Sequence, residues 1–264
     1  MDKFEQFKAG AREAWSTFQP FESITGTVAP YLVRFASVGA ADKVLDVGSG
    51  TGVVALTARR TGADVTGSDL SPALVARARE NAELAGLDIP FQEADVENLP
   101  FDDAAFDVVL SQFGHMFGPQ ADKTLGEMLR VLKPGGRIAF STWPPELYTG
   151  RMFKLMAKYS PPPPEGLDPP VLWGHPDTVS ERFGDKVNEL TFSRATMLFP
   201  TLSPAHLRLF MEANIGPMEK LVESLAAEPE KLAAFRAEFE ALAAIYFENN
   251  TLRQDFLMSR AVKA

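Results

Sequence analysis

The sequence predicts a doubly wound α/β fold, with helices on both faces of a mostly parallel sheet. Three observations carry this. Short apolar runs alternate with helix-period segments from about residue 43 to residue 143. A glycine-rich turn, Gly48-Ser49-Gly50-Thr51-Gly52, follows the first apolar run and opens a helix pattern. The turn Lys133-Pro134-Gly135-Gly136 ends a later helix pattern and returns the chain to another apolar run.

Taken in order, the chain begins with helices. Phe4, Phe7, Ala11, Ala14, Trp15 and Phe18 recur at helical spacing, and Tyr31, Leu32 and Phe35 mark a second helix. Residues 1–42 thus read as a helical cover over the strand ends. Four apolar runs read as buried parallel strands: Val44-Leu45-Asp46-Val47, Asp64-Val65-Thr66-Gly67, Phe106-Asp107-Val108-Val109-Leu110 and Arg137-Ile138-Ala139-Phe140. Between them, Pro72 to Gly86 reads as a helix capped by Ser71, with Leu74, Ala78, Ala82 and Ala85 on one face. Asp122 to Leu132 reads as another. Beyond residue 143 the pattern changes. Pro161-Pro162-Pro163-Pro164 predicts a stiff extended connector. Strand character resumes at 187–199, residues 203–248 read as helices, and 256–262 as a final strand. Leu232, Phe235, Phe239, Leu242 and Ile245 form the amphipathic stripe of that helical block. The whole is expected to be one domain: a cover over 1–42, a ligand-binding core over 43–143, and the remaining strands with connector and insertion over 144–264.

Composition narrows the function. The net charge of −9 opposes general nucleic-acid binding and favours a small-molecule partner. Cysteine is absent, which excludes disulfides, thiolate metal sites and cysteine nucleophiles. No segment has the apolar length of a membrane span, and Met1-Asp2-Lys3-Phe4-Glu5 does not begin like a secretory leader. A cytoplasmic location is therefore expected, with the oligomeric state open.

The candidate site lies on the carboxyl rim of the predicted strands. Glycines in Asp46-Val47-Gly48-Ser49-Gly50-Thr51-Gly52 let the backbone turn tightly and approach a ligand, and the helix start behind them offers free amide groups. Asp69, after the second strand, is placed to accept hydrogen bonds from both hydroxyls of a ribose; alone it reads equally as a helix N-terminal charge. Asp95, in Phe91-Gln92-Glu93-Ala94-Asp95-Val96-Glu97, is placed to accept from an adenine amine, and alone reads as a solvated turn acid. Ser111-Gln112 ends the fourth strand, at the switch point. A glycine loop and two acids after successive strands point to a nucleoside-containing ligand.

As an ordered set these motifs resemble class I S-adenosylmethionine-dependent methyltransferases, especially the branch similar to ubiquinone/menaquinone-biosynthesis methyltransferases. The resemblance spans roughly residues 40–143. It rests on Val44 to Gly52, Gly67-Ser68-Asp69-Leu70-Ser71, Asp95-Val96-Glu97-Asn98-Leu99-Pro100-Phe101, Phe106-Asp107-Val108-Val109 and Leu132 to Gly136. Phe113-Gly114-His115-Met116-Phe117 and the proline run with Leu172-Trp173-Gly174 resemble a subgroup of uncharacterised bacterial methyltransferases. The resemblance implies a seven-stranded sheet whose last strand is antiparallel and inserted between the fifth and sixth. It implies S-adenosyl-L-methionine as cofactor, bound through Gly48, Ser49, Gly50, Thr51 and Gly52, with Asp46 and Ser111 near its amino group. Asp69 and Leu70 would meet the ribose, and Asp95 and Val96 the adenine. The implied reaction is in-line methyl transfer to O, N or C of a small acceptor.

On the acceptor side, His115 follows the fourth strand and is the candidate base or substrate contact; it reads also as a loop residue with no catalytic part. His175 reads as a loop or helix-start residue and His206 as a first-turn helix residue, and no histidine pair has metal-ligand spacing, so no metal is expected. Trp15, Phe18, Phe21, Tyr31, Trp143, Tyr148, Phe153, Tyr159 and Trp173 are candidates for an apolar acceptor wall, or core. Two alternatives stand beside the transferase reading: a non-catalytic S-adenosylmethionine-binding protein, and a nicotinamide-dependent oxidoreductase. Against the latter, the glycines alternate rather than follow G-x-G-x-x-G.

Overall fold

Val44 and Leu45 are adjacent, and neither has exposed surface. That burial on both faces marks a central strand of a parallel sheet. The computed structural model describes residues 3–264; Met1 and Asp2, the start of the expected cover and of the segment read for a leader, lie outside the described residues. The cover contains α1 (Lys3–Ala14), α2 (Glu22–Thr25) and α3 (Ala29–Phe35). The core alternates β1 (Lys43–Val47), α4 (Val53–Arg59), β2 (Asp64–Asp69), α5 (Pro72–Leu84), β3 (Phe91–Glu93), β4 (Phe106–Gln112), α6 (Ala121–Val131) and β5 (Leu132–Thr142). Then come α7 (Tyr148–Tyr159), α8 (Pro176–Phe183), β6 (Val187–Pro200), α9 (Pro204–Asn214), α10 (Gly216–Ser224), α11 (Pro229–Tyr246), β7 (Phe247–Glu248) and β8 (Thr251–Lys263).

The strand order is β3-β2-β1-β4-β5-β8-β6, with β8 antiparallel between β5 and β6 and the short β7 pairing with β8 as an eighth strand. The order reverses between β1 and β4, so their carboxyl ends form the switch point of the sheet, the place where ligands of such folds bind. The two faces carry separate cores. Leu45, Val109, Ile138 and Phe140 pack with α6 on one face, and Val44, Val108, Leu110 and Ala139 pack with α3, α4 and α5 on the other. β8 pairs with β5 only from Leu257 onward, whereas its pairing with β6 starts at Thr251. The antiparallel β6–β8 pair therefore rises past the carboxyl rim, and α9, α10 and α11, inserted in the chain between these two strands, follow from its raised end. A third core, with Phe199, Met211, Met218, Phe235, Phe239 and Leu252, ties that block to α7 and to Phe21 of the cover.

Local details differ from expectation in three places. Ser71 occupies the cap position of α5, but its hydroxyl caps nothing; its N–H is taken by Asp69 instead. Ala85 lies exposed at the end of α5, and the turn at Gly135 is a bulge within β5 rather than a break before it. The prolines at 161–164 are exposed and belong to no helix or strand. Among the described residues, no helix is long and apolar enough to cross a membrane.

Candidate functional site

The glycine loop turns from β1 into α4 through three left-handed residues, Gly48 (φ 62°), Gly50 (φ 54°) and Gly52 (φ 85°). Their reasons for being glycine differ. A Cβ on Gly48 would lie 2.9 Å from Cα of Gly114, so this position is reserved for close backbone packing. A Cβ on Gly52 would lie 3.0–3.1 Å from Leu56, Phe91 and Ala78. Only at Gly50 would a Cβ meet nothing within 4 Å. Of the three, Gly50 is the one whose surroundings leave room for a ligand.

Asp69, half-buried at the end of β2, holds this loop. One carboxylate oxygen accepts from the Gly50 N–H (2.8 Å) and the other from the Ser71 N–H (2.9 Å). Each oxygen keeps a second lone pair. Burial pushes the Asp69 pKa up, against the pull of the backbone N–H groups. Asp46 is 1% exposed; one oxygen accepts from the Ala55 N–H (3.0 Å), while Oδ1 has no partner among the described residues. Burial pushes its pKa up to about 8, and the Asp69 charge adds to that. Around the same turn the buried hydroxyls of Ser49, Ser68 and Ser71 are also unpartnered. Thr51 is buried, and its carbonyl accepts from the Asn81 side chain (3.0 Å). Leu70 and Val96 are half-buried beside the two acids.

Ser111 is held between β1 and the loop after β4. It has no exposed surface; its hydroxyl donates to the Val47 carbonyl (2.6 Å) and accepts from the His115 N–H (3.0 Å). It braces the loop after β4 against β1. That loop begins with Phe113 at φ 63°, a left-handed non-glycine residue whose ring stacks on Trp143 (centroids 3.9 Å, 10° between planes). His115 is fully buried, its ring against Phe140 (4.5 Å) and Trp173 (4.7 Å), and neither nitrogen is hydrogen-bonded among the described residues. Burial, reinforced by the Arg182 charge, pushes its pKa down to about 3. The ring is therefore neutral near pH 7 and lies within the core. His175 occupies the N-cap position of α8 without a side-chain capping bond, and His206, in the first turn of α9, sits 3.0 Å from the Thr201 hydroxyl.

The cover is bolted to this rim. Glu22 pairs with Arg77 and accepts from Asn81 (2.9 Å), so Asn81 links the cover to the glycine loop. The Gln112 amide donates to the Thr25 carbonyl (3.0 Å). Asp95 is met by Lys8 of α1, whose ammonium lies 2.6 Å from Asp95 Oδ2 and 2.8 Å from Glu97 Oε2. Lys8 is 8% exposed. Burial works against its charge, but the two carboxylates outweigh that and raise its pKa. Sequence reasoning missed Lys8. Its signal was present: it lies four residues from Phe4 and three from Ala11, inside the apolar stripe of α1.

Residues 44–136 match the family model described as a methyltransferase domain. An uncharacterized protein of Mycobacterium tuberculosis (strain H37Rv) is 35% identical over 243 residues, 92% of this chain and 89% of its own. A demethylmenaquinone methyltransferase of Thermus thermophilus is 45% identical over 115 residues, 43% of this chain and 52% of that protein. Among solved structures, the YcgJ protein of Bacillus subtilis superposes with a TM-score of 0.60 at 17% identity, covering 90% of this chain and 98% of that one.

This chain is a class I S-adenosylmethionine-dependent methyltransferase.

It belongs to the branch similar to the ubiquinone/menaquinone-biosynthesis methyltransferases, and its cofactor is S-adenosylmethionine. The rim fits that group. The open face of Gly50 and the unpartnered buried oxygens of Asp46, Ser49, Ser68 and Ser71 suit a ligand rich in hydroxyl and ammonium donors. Half-buried Trp15, Phe117 and Phe153, candidates for the acceptor wall or its surroundings by sequence or contact, form a chain of ring contacts (4.6 and 6.1 Å) between the cover and α7. Of the other candidate aromatics, Phe21, Trp143, Tyr148 and Trp173 are buried core residues, Phe18 and Tyr159 are half-buried and Tyr31 is 43% exposed.

Proposed function

We propose that this enzyme transfers the methyl group of S-adenosylmethionine to a small-molecule acceptor at an O, N or C atom, by in-line displacement. The observation that carries the assignment of the site is the Asp69 clamp. One carboxylate joins the glycine loop to the start of α5 and leaves Gly50 facing open space.

The proposed roles follow from the placement. The loop Gly48, Ser49, Gly50, Thr51 and Gly52 holds the methionine part, with Gly50 in closest approach. Asp46 Oδ1 and the Ser49 hydroxyl face its ammonium group. Asp69, with Leu70, takes the ribose hydroxyls on its free lone pairs. Asp95, with Val96, takes the adenine. Ser111 acts as a positioning residue, since its hydroxyl is spent on Val47 and His115. When bound, the cofactor supplies a methyl group activated on a sulfonium. The chain supplies alignment and the exclusion of water, which can account for much of the rate in such a displacement. A base is needed only where the nucleophile must lose a proton. We assign His115 to shaping the wall through Phe140 and Trp173, because its ring is buried and neutral.

Trp15, Phe117 and Phe153 support an apolar acceptor, and the charge of −9 disfavours nucleic acid. The absence of cysteine supports a cytoplasmic location. The test is calorimetric binding of S-adenosylhomocysteine, followed by a screen of phenols, amines and activated carbon acids read by S-adenosylhomocysteine release. Saturable binding with turnover on at least one class is expected. Binding with no turnover on any acceptor would favour a non-catalytic binder.

A further inference from the structure

We propose that Lys8 is a gate: its ammonium holds α1 closed over the adenine-side acids, and the incoming cofactor displaces it. This rests on the assignment of Asp95 to the adenine. Asp95 Oδ1 already accepts from the Glu97 N–H (2.9 Å), and Oδ2 carries the Lys8 ammonium at 2.6 Å. Oδ2 is the oxygen that no backbone N–H of the described residues holds, so an exocyclic amine that comes to it meets the Lys8 ammonium there. The Lys8 side chain is only 10% exposed, and with it in place the Asp95 side chain is 21% exposed.

The chemistry of the neighbours explains why the contact is both tight and reversible. Asp95 and Glu97 are two like charges, and the Glu97 side chain is only 2% exposed. Bringing them together without a cation is costly, so Lys8 serves as their counter-ion. When Lys8 leaves, Glu97 is not stranded: the Gln120 N–H donates to Oε1 (2.5 Å) and the Gln120 amide to Oε2 (3.2 Å). Lys8 has somewhere to go. Glu5, one turn earlier on α1 and 59% exposed, lies 3.5 Å away. A rotation of the side chain hands the ammonium from a buried pair of acids to a solvent-facing one. The adenine amine then takes the freed oxygen as a neutral donor.

The gate is tested on the unaltered protein by amine acetylation, read peptide by peptide by mass spectrometry. Without ligand, Lys8 should label slowly compared with the exposed Lys123. Saturating S-adenosylhomocysteine should speed Lys8 labelling at least tenfold and leave Lys123 unchanged. Saturation with Lys8 still protected would overturn the gate and leave the cofactor assignment standing. No saturable binding at all would remove the functional reading, and the gate with it. A second measurement uses Lys8→Met, which keeps the apolar stem and deletes the competitor. It should bind S-adenosylhomocysteine about tenfold more tightly than the wild type; equal or weaker binding in a folded variant counts against the gate.

Discussion

Asp69→Ala is the sharpest probe of the site, because one side chain holds two elements together. It removes the acceptor for the Gly50 N–H and for the Ser71 N–H. A hydrogen bond to a charged group contributes about 1.5–3 kcal/mol, so two give a gross loss of roughly 3–6 kcal/mol. Part is recovered, since burial disfavours this carboxylate and its removal relieves that cost. A net loss of about 2–4 kcal/mol remains. For a chain of this size each kcal/mol lowers Tm by roughly 2–4 °C, so a fall of about 4–16 °C is expected. Asp69→Asn keeps one acceptor oxygen and should lose about half as much. Scanning calorimetry reads the stability. Titration with S-adenosylhomocysteine reads the second effect, a loss of roughly 1–3 kcal/mol in binding if both ribose hydroxyls are held. An Asp69→Ala protein with wild-type Tm would show that the clamp carries no stability. Unchanged affinity would show that the ribose lies elsewhere.

Other outcomes follow from the same geometry. Gly50→Ala meets open space and should cost only about 1–2 kcal/mol of backbone strain while sharply weakening S-adenosylhomocysteine binding; Gly48→Ala drives a Cβ into Gly114 and should lower Tm by considerably more, as thermal scans of the pair would show. With its pKa raised to about 8, Asp46 is protonated in the free protein at pH 7. A cofactor ammonium beside it favours the carboxylate, so binding should release a proton and tighten as pH rises towards 8; calorimetry in buffers of different ionisation enthalpy checks this, and no proton release would separate Asp46 from the ammonium. His115, neutral in the fold down to about pH 3, ionises in the unfolded chain near pH 6.5. Stability should therefore fall on acidification between those values. His115→Phe should reduce that fall and retain most turnover, whereas loss of turnover with an altered pH–rate profile would restore its role as a base.

The doubly wound core was legible in the sequence because its signals are local. Apolar runs such as Val44 to Val47 can be only strand or buried helix, and flanking glycine and proline turns decide between them. The acids at the strand ends, Asp69 and Asp95, were legible for the same reason: their place on the rim follows from counting residues past a strand. Even the helical block inserted between β6 and β8 is written as amphipathic stripes.

What only the tertiary structure decided concerns partners distant in sequence. His115 looked like a rim residue by its position after β4, but its ring direction depends on Phe140 and Trp173, which arrive from β5 and from beyond the proline connector. The three glycines look alike as letters; Gly114, Phe91 and Ala78 distinguish them in space. Lys8 meets Asp95 across more than eighty residues, a contact that no window of sequence contains. Periodicity and turn chemistry are properties of neighbouring residues, so the chain fixes its elements locally. The direction of a side chain and the charge it faces are fixed only when those elements pack.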